Sequence, residues 1–199
     1  MQKAVHHLKK ADRVLAAIIE RVGPYRISYD EPAFGSLAEA IVYQQLHGKA
    51  AATIFKRLTD LAGLPLQPEG ILKLSEEQMR AAGLSKQKLS YLRDLATKTQ
   101  SGELQFEHLP SLADEEVIKE MTKVKGIGVW TAHMFLIFSL RRANVLPTGD
   151  LGIQMAIRQH YGKRKLPTPD QMKKIAKPWE PYRSVACWYL WRSLDIKTL

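Results

Sequence analysis

The chain has 199 residues, enough for one substantial core or two small lobes, and its 45% hydrophobic and 25% charged content argues against a disordered chain. An excess of Lys and Arg, 30 against 20 Asp and Glu, leaves a net charge of +10 that favours a polyanionic partner. The single cysteine, Cys187, excludes an intrachain disulfide and any four-cysteine metal site.

No apolar stretch of signal-peptide type follows Met1, and the apolar run Met134 to Leu140 is too short for a membrane span. A protein that stays off the membrane in a reducing compartment is therefore expected.

Apolar residues recur at helical spacing, and no segment alternates apolar and polar residues between hairpin turns, so the fold class expected is all-α. Val5, Leu8, Val14, Leu15, Ile18 and Ile19 predict one helix over Ala4 to Val22, stopped by Gly23-Pro24. Ser36 is expected to cap a run from Leu37 through Ala38, Ile41, Val42 and Gln45 to a break at His47-Gly48. A third helix is predicted over Lys49 to Leu61, and the proline-containing stretch Gly63 to Gly70 reads as a loop.

Ser75-Glu76-Glu77-Gln78 is a capping box opening a short helix that ends at Gly83. Ser85 caps the next helix, with Leu89, Leu92 and Leu95 on one face and Gly102 at its end. Asp114-Glu115-Glu116 suits the positive start of a helix carrying Val117, Ile118 and Met121. An apolar helix is predicted over Val129 to Leu140 and another from Asp150 to His160. A second capping box, Thr168-Pro169-Asp170-Gln171, and a last helix over Tyr182 to Leu194 complete the chain.

The segment Val124-Lys125-Gly126-Ile127-Gly128-Val129-Trp130-Thr131-Ala132 joins two helices through a glycine-punctuated hairpin. Its glycines can adopt backbone angles closed to other residues, and amides at the start of the second helix can converge on a phosphate oxygen. A tight helix connection with no ligand is the alternative reading of the same residues. Further on, Leu146-Pro147-Thr148-Gly149-Asp150 places a carboxylate at a helix start, where the ionised form is favoured. Asp150 is read either as a helix cap or as a chemical group.

These two elements resemble the helix-hairpin-helix and the proline- and aspartate-containing loop of the HhH-GPD DNA glycosylase superfamily. The segments Tyr43 to Ala51, Gly83 to Lys88 and Trp179 to Ser184 are similar, in order, to recurrent segments of its 3-methyladenine DNA glycosylase II branch. The resemblance spans roughly Ser36 to Trp191. It implies two helical lobes around a DNA-binding cleft without an N-terminal β-sheet domain. Lobe A is expected over 1–35 plus 147–199, and lobe B, with the hairpin, over 36–146. Lys125 stands where the family has a proline, which leaves the glycine geometry intact and adds a cation near the expected phosphate.

The resemblance assigns Asp150 the catalytic role: stabilising positive charge on the sugar as the N-glycosidic bond breaks, and orienting a water. Relatives that nick the strand carry a nucleophilic lysine where this chain has Trp130, so water rather than an amine is the expected nucleophile. Trp130 and Trp191 are expected to line the pocket for the extruded base, with Tyr25, Phe34, Tyr43 and Trp188 as further candidates. Leu46 and His47 are the candidates for entering the duplex at the minor groove. Lys125, Gly126, Gly128, Ser85, Lys86 and Lys88 are expected at backbone phosphates, with Lys163, Arg164 and Lys165 extending the basic surface.

The implied activity is that of a monofunctional DNA-3-methyladenine glycosylase II removing alkylated purines from double-stranded DNA and leaving an abasic site. Its expected lesion is 3-methyladenine, with 7-methylguanine, ethenoadenine and hypoxanthine as further candidates. No cofactor or metal is expected, and the partner is duplex DNA containing alkylated bases, bound by a monomer. The location implied is the cytoplasm of a bacterium or archaeon, at the nucleoid, or the nucleus of a eukaryote. Two other readings of the motifs are a non-catalytic helix-hairpin-helix DNA-binding protein and a bifunctional glycosylase-lyase.

Overall fold

The computed structural model describes residues 1–195, which form α-helices, short 3₁₀ turns and connecting loops with no strand among the described residues. The α-helices are α1 (Gln2–Ala11), α2 (Arg13–Val22), α3 (Phe34–Tyr43), α4 (Gly48–Ala62), α5 (Pro68–Lys73), α6 (Glu76–Ala81), α7 (Lys86–Gln100), α8 (Asp114–Met121), α9 (Val129–Phe138), α10 (Leu151–His160), α11 (Pro169–Ile175) and α12 (Arg183–Asp195). The chain divides into two compact units, one of residues 1–29 with 136–199 and one of residues 30–135. None of the helices is long and apolar enough to cross a membrane.

In the first unit, the single helix expected over Ala4 to Val22 is two helices. Asp12 breaks it by leaving helical geometry, with φ −148° and ψ 113°, and its Oδ1 caps α2 by accepting the amides of Val14 at 2.9 Å and Leu15 at 3.0 Å. Its other oxygen, Oδ2, accepts the Tyr161 hydroxyl at 2.7 Å and the Trp179 indole N–H at 2.8 Å. Burial and the Asp12 hydrogen bond push the Tyr161 hydroxyl far above its ordinary pKa, so it remains a donor. The apolar stripe of the sequence was continuous through Asp12 because both helices face one core.

That core combines Leu8, Leu15, Ile18 and Ile19 with Ile153, Ile157, Trp179, Tyr189 and Leu190, all essentially removed from water. Burial of each large side chain contributes about 1.5–3 kcal/mol before the entropic cost of ordering it.

The second unit is organised on α7, which packs against α3, α5 and α6. Leu89, Leu92 and Leu95 are its buried face, as their spacing predicts. The Ser75 capping box forms as expected, with Ser75 Oγ accepting the Gln78 amide and Gln78 Oε1 accepting the Ser75 amide. Glu116 Oε2 accepts the Ala113 amide at 2.9 Å at the start of α8.

Three boundaries in this unit differ from expectation. α3 begins at Phe34 with Ala33 at its N-cap, while the Ser36 hydroxyl donates to the Glu31 carbonyl rather than capping. Gln45 lies beyond the helix, at φ +57°. The latter part of the expected Gly63 to Gly70 loop is helical, because Pro68 takes the first helical position of α5, where its missing N–H costs nothing.

Helix α9 runs from the second unit into the first. It stops at Phe138 rather than Leu140: the Arg142 amide reaches back to the Leu136 carbonyl at 2.8 Å across Arg141, whose φ is +56°. Arg141 thus ends the helix in the left-handed conformation that usually falls to glycine.

Candidate functional site

In the first unit, Asp150 sits at the N-cap of α10 and is only 6% exposed. Its Oδ1 accepts the Ile153 amide at 2.8 Å and the Trp191 indole N–H at 2.9 Å. Trp191 stacks on Phe138, with ring centroids 5.8 Å apart and planes inclined by 26°. A carboxylate with a fixed orientation beside an aromatic stack is therefore a feature of this unit.

The loop leading to Asp150 is pinned from α12. Ser184 Oγ donates to the Arg142 carbonyl at 2.6 Å and accepts the Val145 amide at 3.0 Å, and the Ser184 amide donates to the Ala143 carbonyl at 2.9 Å. Arg183 Nε adds a bond of 2.9 Å to Asn144 Oδ1. Within the loop, the Asp150 amide donates to the Pro147 carbonyl, and Gln154 Nε2 to the Thr148 carbonyl.

Gly152 completes this arrangement through its lack of a side chain. A Cβ there would lie 3.1 Å from Asp150 Oδ1 and 3.1 Å from Cδ1 of Trp191, closer than ordinary packing permits. Cys187, buried on α12, has its thiol pushed up by burial and then by the Asp150 charge, so it stays a neutral packing group.

In the second unit the hairpin between α8 and α9 is braced from three sides. Gly126, at φ +80°, lies against the Tyr91 ring, and a Cβ would fall inside that ring. Gly128 has an ordinary φ; its distinction is open space, with nothing within 4 Å of where a Cβ would be. Of the two glycines, only Gly126 uses a backbone angle closed to other residues.

Asp94 Oδ2 accepts the Lys125 amide at 2.8 Å, and Gln44 Nε2 donates to the Gly126 carbonyl at 2.9 Å. The amides of Lys125 and Ile127 are engaged inside the protein, the latter with the Val124 carbonyl, so they are not among those that can turn to a phosphate. The exposed Lys125 ammonium lies 3.8 Å from Asp94 Oδ1, which Lys98 also reaches at 3.2 Å. Burial acts to raise the Asp94 pKa, but the Lys125 amide and the Lys98 and Lys125 charges together hold it below the ordinary value.

Lys88, expected at a phosphate, instead donates to the carbonyls of Val42 at 2.6 Å and Gln44 at 2.7 Å, and burial lowers its pKa. Its ammonium closes the end of α3. Ser85 caps α7 by accepting the Lys88 amide at 3.1 Å, and Lys86 is exposed beside it.

Of the expected pocket aromatics, Phe34 is 4% exposed and Trp188 is 6% exposed, so both serve as packing. Trp188 lies against Tyr25, with centroids 4.6 Å apart, and Phe34 lines a cavity of the second unit with Pro32, Pro65, Leu66 and Phe106. Tyr43 is half-buried at the end of α3, where burial and the neighbouring Glu39 raise its pKa. Trp130 is 48% exposed on the first turn of α9. Leu46 is 40% exposed, and His47 stands exposed at the N-cap of α4.

Lys163, Arg164 and Lys165 are exposed in the loop after α10. Among the described residues, no group of three or more His, Cys, Asp or Glu side chains gathers where a metal ion could sit. Phe138, Gly152, Gln44 and Asp94 were missed from the sequence; only Gly152 carried a local signal, as a glycine beside the helix-start aspartate.

A curated relative from Schizosaccharomyces pombe, named DNA-3-methyladenine glycosylase 1, is 38% identical over 200 residues, covering 97% of this chain and 87% of the relative. A solved S. pombe 3-methyladenine DNA glycosylase in complex with abasic DNA superposes with a TM-score of 0.87 at 36% identity, covering 98% of this chain and 97% of that one. A DNA-3-methyladenine glycosidase structure from Bacillus halodurans gives a TM-score of 0.85 at 38% identity, covering 94% and 87%. Residues 38–181 match the model of the HhH-GPD superfamily base excision DNA repair proteins. With its all-helical fold and its braced hairpin, this chain belongs to the HhH-GPD superfamily.

Proposed function

We propose that this protein is a monofunctional DNA-3-methyladenine glycosylase of type II character, hydrolysing the N-glycosidic bond of alkylated purines in duplex DNA. The observation that carries this reading is the Asp150 carboxylate, buried and held in one orientation by the Ile153 amide and the Trp191 indole. The names of the relatives point to the same lesion class.

In this reading the bond between the sugar C1′ and the base nitrogen breaks with both electrons leaving on the base. Asp150 stabilises the positive charge left on the sugar and orients the water that adds to C1′; that water gives up a proton to the surrounding solvent, and an abasic site remains. One carboxylate suffices because a ring-alkylated purine already carries positive charge and departs neutral. Trp130, exposed and electron-rich, favours such a cationic base through an attraction of about 1 kcal/mol or more once water is excluded. The hairpin holds a backbone phosphate at the exposed Gly126 and Gly128, which flank the buried Ile127, with Lys125 and Lys86 adding positive charge.

A lyase step has no support at the hairpin, where Trp130 occupies the position of the nucleophilic lysine in the resemblance and Lys125 is drawn to Asp94. The test is to incubate the protein with methylated duplex DNA and identify what is released. Free 3-methyladenine, an alkali-labile but otherwise intact strand and no borohydride-trapped covalent complex are expected. A trapped complex contradicts the monofunctional reading, and no released base contradicts the enzymatic one.

A further inference from the structure

Two exposed turns of the second unit are fastened to the same helix. On the first turn of α7, Lys88 Nζ holds the carbonyls of Val42 and Gln44; Tyr91 then packs on Gly126, and Asp94 takes the Lys125 amide. Gln87 Nε2 donates to the Tyr91 hydroxyl at 2.5 Å, setting that ring against the hairpin. Gln44 joins the two sites: its backbone carbonyl receives Lys88 at 2.7 Å while its side-chain amide donates to the Gly126 carbonyl at 2.9 Å.

The turn after α3 has a specific shape. The Leu46 amide donates to the Tyr43 carbonyl at 3.2 Å, with Gln44 at φ −52° and ψ 129° and Gln45 at φ +57°. Those values describe a type II turn with Gln45 where glycine is the favoured residue. A side chain is kept at such an angle only where its surroundings over-determine the backbone, and strained backbone of this kind concentrates at functional sites. Lys88 and Gln44 supply that constraint, and Gln45, Leu46 and His47 are the exposed residues presented by the turn.

We propose that Lys88 and Gln44 are positioning residues that tie the Gln45–His47 turn to the glycine hairpin, so that gripping a phosphate at the hairpin sets how the turn enters the duplex. The inference rests on the DNA-binding part of the proposed function, not on the bond-breaking step. Phosphate contact and base extrusion are then mechanically linked through one side chain of α7 and one amide.

The experiment uses a duplex carrying 2-aminopurine, whose fluorescence rises when it leaves the base stack, together with anisotropy on the same labelled duplex. Lys88→Met and Gln44→Ala are expected to bind with a Kd within about threefold of the unaltered protein, yet to brighten the probe roughly tenfold less at saturation, the scale of one lost hydrogen bond. Lys88→Arg, which can still reach both carbonyls, is expected to restore most of the signal. Should Lys88→Met fail to fold, Gln44→Ala decides, because it removes only the link to Gly126.

Full brightening by the variants overturns the proposal, as do parallel losses of affinity and brightening, or an unaltered protein that leaves the probe stacked. Base release from methylated DNA separates this outcome from the glycosylase reading. Release by Lys88→Met at the unaltered rate sinks the clamp alone, whereas Lys88-dependent brightening without any base release sinks the glycosylase reading alone.

Discussion

Trp191 donates its indole N–H to the same oxygen of Asp150, Oδ1, that accepts the Ile153 amide, at 2.9 Å and 2.8 Å. The two donors come from different helices, α12 and α10, so the carboxylate is oriented by packing as well as by helix geometry. The helix-capping geometry of Asp150 is compatible with the catalytic role proposed for it.

Trp191→Phe keeps an aromatic ring against Phe138 and removes the donor to Asp150. Single-turnover base release is expected to slow about tenfold, as for loss of a hydrogen bond to a charged group, with DNA affinity unchanged. An unchanged rate at saturating DNA shows that the indole N–H does not position the carboxylate for the reaction.

Gly152→Ala places a methyl group 3.1 Å from Asp150 Oδ1 and 3.3 Å from Trp191 Nε1. In an open helix this exchange gains up to about 1 kcal/mol, so the expected stability change is small. Base release is expected to fall about tenfold to a hundredfold, because small displacements of a positioned group are costly. The outcome to measure is a fall in the turnover number while the melting temperature moves little; a fall in both together points to general damage.

Asp12→Ala removes the cap of α2 and leaves the hydroxyl of Tyr161 and the indole of the buried Trp179 without their acceptor. The combined cost is about 3 kcal/mol. Chemical denaturation checks this value, and Asp12→Asn, which keeps an acceptor oxygen for the α2 amides, is expected to lose less.

Asp94 has a pKa below its ordinary value of 3.8, since the Lys125 amide and the neighbouring lysines outweigh the effect of burial. A carboxyl whose folded pKa lies below the unfolded one adds stability above the unfolded value, and loses it as pH falls through the depressed folded value. Asp94→Asn is therefore expected to lower stability at neutral pH by about 1–3 kcal/mol and by progressively less as the pH drops below 3.8. Melting temperatures across that range test it, and a difference independent of pH contradicts it.

The sequence displayed the helices because their apolar spacing is local, and it displayed Asp150, Gly126 and Trp130 because each sits in a contiguous motif. It hid the partners of Lys88 and Asp94, which lie 46 and 31 residues away; Lys88 read as a phosphate contact, and no motif singled out Asp94. The same distance hid the pairing of Asp150 with Trp191 and of Ser184 with the loop before Asp150. Asp12 was obscured for another reason: two helices that share one core leave an uninterrupted apolar stripe, and only the side-chain cap reveals the break. Phe34 and Trp188 were overassigned because an aromatic at helical spacing looks the same in sequence whether it lines a pocket or fills a core.

The most direct test of the central claim is single-turnover release of 3-methyladenine from methylated duplex DNA by the unaltered protein and by Asp150→Asn, with duplex affinity measured on both. The amide keeps a carbonyl oxygen for the Ile153 and Trp191 donors but carries no negative charge to face the sugar. The account predicts that Asp150→Asn binds DNA as the unaltered protein does and releases base at least about a thousandfold more slowly. Release by Asp150→Asn at an undiminished rate contradicts it.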